Sequence, residues 1–316
     1  MSKKYLIGHT KPDTDAVVSA LAFQKLFQAE ECFCNQNAEV VIADPLNPET
    51  SYLFNRFELT PPPVLSSTDI QSDDQFILVD HNEESQRHPG INSDQIVEIF
   101  DHHKLNLNLK HPLYVTIKPW GSSTTIAAFL LKQYQVTPDQ TLASLMLAAI
   151  LSDTVGFKSA TTTDHDRKYA EYLAEIAGID DVAGFTLDIF KAKSDISSLT
   201  AKQIVLNDYK IFEFGTKKVL IDQLETVEQA RILSEKKTEL LTAMKEIKTE
   251  QAVDLLFVAI TDILQVNTQL LLLSETETAI AEAAFGGTAS QQILDIGPKL
   301  SRKKEIAPEI EKACLA

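Results

Sequence analysis

The sequence predicts an α/β protein of two domains: an amino-terminal, largely parallel sheet with helices on both faces, then a smaller mixed α/β carboxy-terminal domain. Three observations carry this. Tyr5-Leu6-Ile7 is an apolar strand-like run followed by a polar loop and then by Asp15 to Phe27, whose apolar residues recur at helical spacing. Later apolar runs are nearly continuous rather than alternating, as strands covered on both faces require. From Lys191 to Ser197 the apolar pattern lapses into a short polar connection, which places a hinge linker at 191–197 between residues 1–190 and 198–316.

After the first strand and helix, the runs Glu39 to Ala43, Phe76 to Val79, Ile96 to Phe100 and Leu113 to Ile117 read as further strands. Helical patterns cover Ser122 to Tyr134, Gln140 to Leu151 and Asp164 to Ala177, the second delivering Asp153 into a loop. Beyond the hinge, Tyr209 to Phe214 and Val219 to Leu224 flank Gly215-Thr216-Lys217-Lys218 as a hairpin. Val227 to Lys248 is expected to be one long helix, and Leu255 to Ile260 and Leu270 to Leu273 are expected strands. Gly286-Gly287 reads as a tight turn, since it lacks a phosphate-loop pattern around it. There is no internal repeat and no low-complexity segment.

A chain of 316 residues with 44% hydrophobic and 23% charged content has room for two ordinary cores. No apolar stretch approaches the ~20 residues of a membrane span, and the first residues lead straight into a strand rather than a signal segment, so a cytoplasmic protein without a membrane partner is expected. Cys32, Cys34 and Cys314 suit neither a disulfide framework nor paired zinc spacing, and are expected to be reduced structural thiols. A net charge of −16 opposes binding of extended nucleic acid. It leaves open a small anion that brings metal ions into a focused site.

Four clusters carry the chemistry: Gly8-His9-Thr10-Lys11-Pro12-Asp13-Thr14-Asp15, Val79-Asp80-His81-Asn82, Asp101-His102-His103 and Ser152-Asp153-Thr154. Each has an ordinary explanation alone. Asp15 could cap its helix, Asp80 could cap a turn, the histidines could occupy a polar loop, and Asp153 could sit in a solvated turn. Three of the clusters, however, directly follow the first, third and fourth strands, and an open α/β sheet holds its ligand at the carboxyl ends of its strands. Asp80 also ends a buried strand, where its desolvation must be compensated, and a carboxylate bridging two cations meets that need. Two imidazoles, four carboxylates and no thiolate suit Mn²⁺ first, with Co²⁺ or Mg²⁺ as substitutes, better than structural Zn²⁺. Two such ions bridged by Asp80 would share a water, lower its pKa and polarise a phosphoryl oxygen.

In the second domain Ser301-Arg302-Lys303-Lys304 is a basic cluster in an acidic protein. Arg302 can take phosphate oxygens bidentately, Lys303 and Lys210 can add compact positive charge, and Lys304 is expected to be solvated. Ser122, Ser123 and Ser152 lack a nucleophile-elbow pattern.

The ordered set His9-Thr-Lys-Pro-Asp13-Thr-Asp15, Asp80-His-Asn, Asp101-His102-His103 and Ser-Asp153-Thr, followed by Lys210 and Ser301-Arg302-Lys303-Lys304, resembles the family II, manganese-dependent inorganic pyrophosphatases of the DHH phosphoesterase superfamily over nearly the whole chain. The segment from Ser152 to Thr163 also resembles the family's last metal-ligand region, with Ala160 where a proline is common. The resemblance implies that His9, Asp13 and Asp80 hold one ion and that Asp15, Asp80, His102 and Asp153 hold the other. It implies that His103, Lys210, Arg302 and Lys303 contact pyrophosphate, that a metal-bridging hydroxide attacks it between two closing lobes, and that the chain forms a homodimer through its amino-terminal domain. Two rival readings are a DHH exonuclease or oligonucleotide phosphodiesterase, opposed by net charge and the 301–304 cluster, and a metal-dependent phosphate sensor.

Overall fold

The computed structural model describes residues 2–109, 111–197 and 199–315, so Met1 and Ser198, the first residues expected of each domain, lie outside it. Packing divides the chain into two units, Met1–Lys193 and Ser194–Ala316. The first contains strands β1 (Lys4–Ile7), β2 (Glu39–Val41), β3 (Gln75–Val79), β4 (Ile96–Asp101) and β5 (Tyr114–Ile117), and helices α1 (Thr14–Ala29), α2 (Pro48–Arg56), α3 (Ser123–Gln133), α4 (Gln140–Asp153), α5 (Asp164–Ala177) and α6 (Val182–Lys193). All neighbouring strands are parallel, in the order β2-β1-β3-β4-β5. The chain leaves β1 toward one edge and returns on its other side as β3, so the β1/β3 boundary is the point where strand order reverses and a crevice opens. The register sets Ile7 beside Leu78 and Val79 beside Phe100, which aligns the carboxyl ends of β1, β3 and β4.

Alternate residues of this sheet serve two cores. Leu6, Ile77, Val79 and Phe100 pack with Val18, Phe23 and Phe27 of α1, Ile126 of α3, Met146 and Ile150 of α4, and Leu173 of α5. Tyr5, Ile7, Phe76, Leu78 and Ile99 pack with loop residues such as Leu65 and Ile91. The expected α/β class is therefore met, but the helices of the main core cover one face of this sheet, and loops supply the apolar cover on the other.

The second unit has strands β6 (Tyr209–Phe214), β7 (Lys217–Thr226), β8 (Leu255–Asp262), β9 (Asn267–Leu272) and β10 (Ile293–Gly297), with helices α7 (Ala201–Val205), α8 (Gln229–Glu235), α9 (Lys237–Glu250), α10 (Glu275–Phe285) and α11 (Ala307–Leu315). Its mixed sheet runs β10-β9-β8-β7-β6, with β7 and β8 parallel and the other pairs antiparallel. Leu220, Leu256, Val258 and Leu271 face the core built with α7, α8 and α9. Val219, Ile221, Phe257 and Leu270 face the core built with α10 and α11. Helices do cover both faces here.

Several sequence expectations are corrected. The helix expected over Val227 to Lys248 breaks at Lys236, where polar Ser234 to Lys237 interrupt the apolar series between Leu233 and Leu240. The linker expected at 191–197 begins as helix: α6 continues through Lys193, and the packing boundary falls between Lys193 and Ser194. Asp153 is the last residue of α4 rather than part of a loop. Cys32 and Cys34 are exposed, so they are free thiols without a core role. Among the described residues no helix is long and apolar enough to cross a membrane.

Candidate metal centre

The four clusters converge at the carboxyl ends of β1, β3 and β4. The loop after β1 turns tightly into α1 at Gly8, where a Cβ would stand 2.8 Å from Cβ of Ala16, so only glycine allows this approach. Asp13 caps α1 by accepting the Ala16 N–H at 2.9 Å. The capping role considered for Asp15 therefore belongs to its neighbour, and Asp15 lies buried in the first turn. Asp80 has φ 62°, in the left-handed region that Asp tolerates better than most residues, while its N–H still donates to the Phe100 carbonyl at 2.9 Å. The strand thus ends by turning its carboxylate into the crevice.

The two oxygens of Asp80 face different partners. Oδ2 lies 3.6 Å from Nε2 of His9, which is itself 3.7 Å from Oδ1 of Asp13. Oδ1 lies 3.3 Å from Nε2 of His102, which is 3.4 Å from Oδ2 of Asp153. Ligand atoms of His9, Asp13 and Asp80 fall within 4.8 Å of one another, as do those of Asp15, His102 and Asp153. Each set can hold one metal ion, with Asp80 between them. His9 Nδ1 lies 2.8 Å from the Thr10 carbonyl and His102 Nδ1 lies 2.9 Å from that of Trp120, so each Nδ1–H is engaged and each Nε2 is the nitrogen turned toward the carboxylates, where a metal could replace its proton.

Electrostatics supports cation binding. Burial, with the charges of Asp15 and Asp13, pushes Asp80 up to about 7, and burial with Asp15 and Asp80 raises Asp153 well above its ordinary value. Burial alone would lower the histidines, yet Asp13 and Asp80 hold His9 up to about 9, and Asp80, Asp15 and Asp153 hold His102 up to about 11. Oδ2 of Asp153 is buried without a hydrogen-bond partner among the described residues. A dense group of carboxylates with an unsatisfied oxygen and Nε2 atoms turned inward fits divalent metal.

His103 is held differently. Its Nδ1 lies 2.9 Å from Oδ1 of buried Asp101, and that bond raises its pKa. Asn82 donates to the other Asp101 oxygen at 2.6 Å. Asp101 therefore orients His103, while His102 takes a backbone carbonyl, and the half-exposed His103 ring keeps Nε2 available to a ligand. His81 is buried, with Nδ1 on the Val79 carbonyl at 2.9 Å, and burial lowers it to about 4.

Sequence reasoning missed the supports around these ligands. The amino terminus of α3 surrounds Asp15: the Ser122 hydroxyl donates to it at 2.6 Å, and the Ser123 and Thr124 N–H groups donate at 2.7 and 2.9 Å. Ser123 Oγ donates to Asp80 at 2.9 Å. The two serines are therefore orienting donors rather than nucleophiles, and a helix N-terminus suits the carboxylates they hold. Thr14 donates its hydroxyl to buried Glu49, and Lys193 Nζ lies 3.5 Å from Glu49 and 3.3 Å from Ser152 Oγ. An Asx-capped α2 supplies Glu49, and the short polar pattern of that helix left it unread.

The cationic residues lie in the second unit. Lys210 is exposed on β6, and Lys303 and Lys304 are exposed in a π-helical turn, Arg302–Ile306. Arg302 is buried, contrary to a simple solvated basic run, and its Nη2 donates to Asp208 at 3.0 Å.

Residues 3–150 match the DHH family, N-terminal domain, and residues 187–313 match the DHHA2 domain. The manganese-dependent inorganic pyrophosphatase of Bacillus subtilis is 36% identical over 314 residues, covering 99% of both chains. That of Methanothrix thermoacetophila is 36% identical over 314 residues, covering 98% of this chain and 97% of its relative. The crystal structure of a putative family II inorganic pyrophosphatase from Methanococcus jannaschii superposes with a TM-score of 0.63 at 32% identity, covering 99% of this chain and all of the other. With such relatives aligned from end to end, the chain belongs to the family of manganese-dependent inorganic pyrophosphatases.

Proposed function

We propose that this protein hydrolyses inorganic pyrophosphate to two phosphates by a two-metal mechanism. The observation that carries the proposal is Asp80, whose two oxygens face two separate donor sets across the β1/β3 crevice. His9, Asp13 and Asp80 would hold one Mn²⁺, and Asp15, Asp80, His102 and Asp153 would hold the second. When bound, such ions would make a water nucleophilic near neutral pH and would neutralise charge on phosphoryl oxygens.

The protein's own groups do the rest. Ser122, Ser123 and Thr124 keep Asp15 and Asp80 aimed. Asp101 holds His103 so that Nε2 can present a proton to a substrate oxygen. Lys210, Arg302 and Lys303 bind the phosphate charge left uncovered and stabilise the leaving group, with the second domain acting as a lid. Free Cys32 and Cys34 fit a reducing, cytoplasmic setting. The exposed edge strand β5, with Tyr114 and Val115 outward, suits homodimerisation through the amino-terminal domain.

Metal-depleted protein resupplied with Mn²⁺, Co²⁺, Mg²⁺ or Zn²⁺ tests this reading against pyrophosphate, short oligonucleotides and cyclic dinucleotides. Phosphate release from pyrophosphate, fastest with Mn²⁺, is expected. Preferential oligonucleotide cleavage would assign the nuclease reading instead, and tight pyrophosphate binding without turnover would assign the sensor.

A further inference from the structure

Arg302 is pinned from two sides while two of its guanidinium nitrogens stay unpaired. Its backbone N–H donates to Oε1 of Gln223 at 3.0 Å, and Gln223 is itself fixed by donating to Thr261 Oγ1 at 3.0 Å and to the Leu300 carbonyl at 2.9 Å. Nη2 donates to Asp208 at 3.0 Å. The remaining nitrogens, Nε and Nη1, are buried and have no hydrogen-bond partner among the described residues. Unpaired donors on a buried cation are costly, and an incoming anion with oxygen acceptors is what would satisfy them.

Asp208 is as firmly placed as the arginine it holds. Its N–H donates to Oδ1 of buried Asp222 at 3.1 Å, and its carbonyl accepts the Gln223 N–H at 3.2 Å. Its side chain is nevertheless 64% exposed, against 8% for Arg302. An exposed carboxylate whose backbone is anchored at both N–H and C=O, and whose one ion pair is to a buried guanidinium, is poorly explained as a stabiliser, because exposed partners contribute little. It is well explained as an orienting group. Asp208 also stands two residues before Lys210, so the same strand start sets both cations.

We propose that Asp208 is a positioning residue for Arg302: it holds Nη2 so that Nε and Nη1 stay aimed at the phosphate oxygens of the substrate. This rests on the reading above that Arg302 contacts pyrophosphate. Full-length, Mn²⁺-loaded wild type, Asp208→Ala, Asp208→Asn, Arg302→Met and the double variant Asp208→Ala/Arg302→Met should be compared for kcat and KM on pyrophosphate, after circular dichroism and metal content confirm equal folding and loading. Asp208→Ala should lower kcat/KM roughly 3–10-fold, the scale of freeing one rotamer-rich side chain. Asp208→Asn, which keeps an oxygen acceptor, should recover most of it. In the Arg302→Met background Asp208→Ala should have no further effect. An equal loss in both backgrounds would overturn the proposal, as would a rise in kcat/KM on removing Asp208, the mark of a competitor for Arg302. If Arg302→Met itself leaves kcat/KM unchanged, the assignment of Arg302 to the substrate fails, and the positioning role fails with it.

Discussion

Replacing Asp80 with Asn removes one charge from both proposed metal sites at once. The structure makes this a clean perturbation: Asn tolerates the φ of 62° as well as Asp does, and its amide oxygen can still accept from Ser123 Oγ at the Oδ1 position. The backbone bond to Phe100 is untouched. What changes is that the partner of His9 on one side and of His102 on the other no longer carries negative charge. Loss of an outer-shell partner alone costs about 10–100-fold in metal affinity, so loss of a direct charged ligand should cost on the order of 100-fold or more at each site. That is about 2.7 kcal/mol per ion, and the two losses compound. Asp13→Asn should weaken one site only, because Asp13 faces His9 and not His102. Calorimetric Mn²⁺ titration of metal-depleted wild type, Asp80→Asn and Asp13→Asn reads the difference directly. If Asp80→Asn kept two ions at wild-type affinity, or lost only one as Asp13→Asn does, Asp80 would not be the shared ligand.

Three further outcomes follow from the same geometry. In metal-free protein His9 and His102 are held up to about 9 and about 11, so they carry protons at pH 7 that Mn²⁺ must displace; affinity should rise about tenfold per pH unit for each displaced proton below pH 9, and a pH-independent affinity between pH 6.5 and 8.5 would contradict this. Burial pushes Asp222 up to about 7 from 3.8, so the folded state binds a proton the unfolded chain has lost, and stability falls as pH rises through that interval and then levels off. Asp222→Asn should therefore gain up to about 4 kcal/mol relative to wild type above pH 7 and little near pH 4, read from urea midpoints, whereas an equal shift at both pH values would exclude ionisation as the cause. A polypeptide of residues 1–193 should keep Mn²⁺ binding, since the six proposed ligands precede Lys193, yet lose most activity without Lys210, Arg302 and Lys303, and full-rate hydrolysis by the folded fragment would remove the second domain from catalysis.

The proposed ligands were legible in the sequence because each follows an apolar run whose burial leaves a charged residue at a strand or helix end without an ordinary reason to be there. His9, Asp80 and His102 are of this kind, and the strand-end rule for open sheets brought them together. Their supports were not legible, because they depend on contacts distant in sequence. Asp15 meets Ser122 and Thr124 across more than a hundred residues, and Glu49 reaches Thr14 from a short polar helix with little apolar signal. The orienting partner of His102 is a backbone carbonyl, which no residue type announces. The phosphate-binding chemistry of Arg302 was legible from its residue type, but its burial was not: Lys303 and Lys304 beside it are exposed, whereas the π-helical turn points Arg302 inward. The break at Lys236 and the extension of α6 through Lys193 are boundary effects, where local polarity and tertiary packing disagree.

Stepwise addition of Mn²⁺ to metal-depleted full-length protein, with bound metal and phosphate release from pyrophosphate followed in the same sample, tests the two-metal claim most directly. The two donor sets joined through Asp80 predict that activity continues to rise until at least two ions are bound per chain, with little turnover from singly loaded protein. Full activity at one bound ion per chain would contradict it.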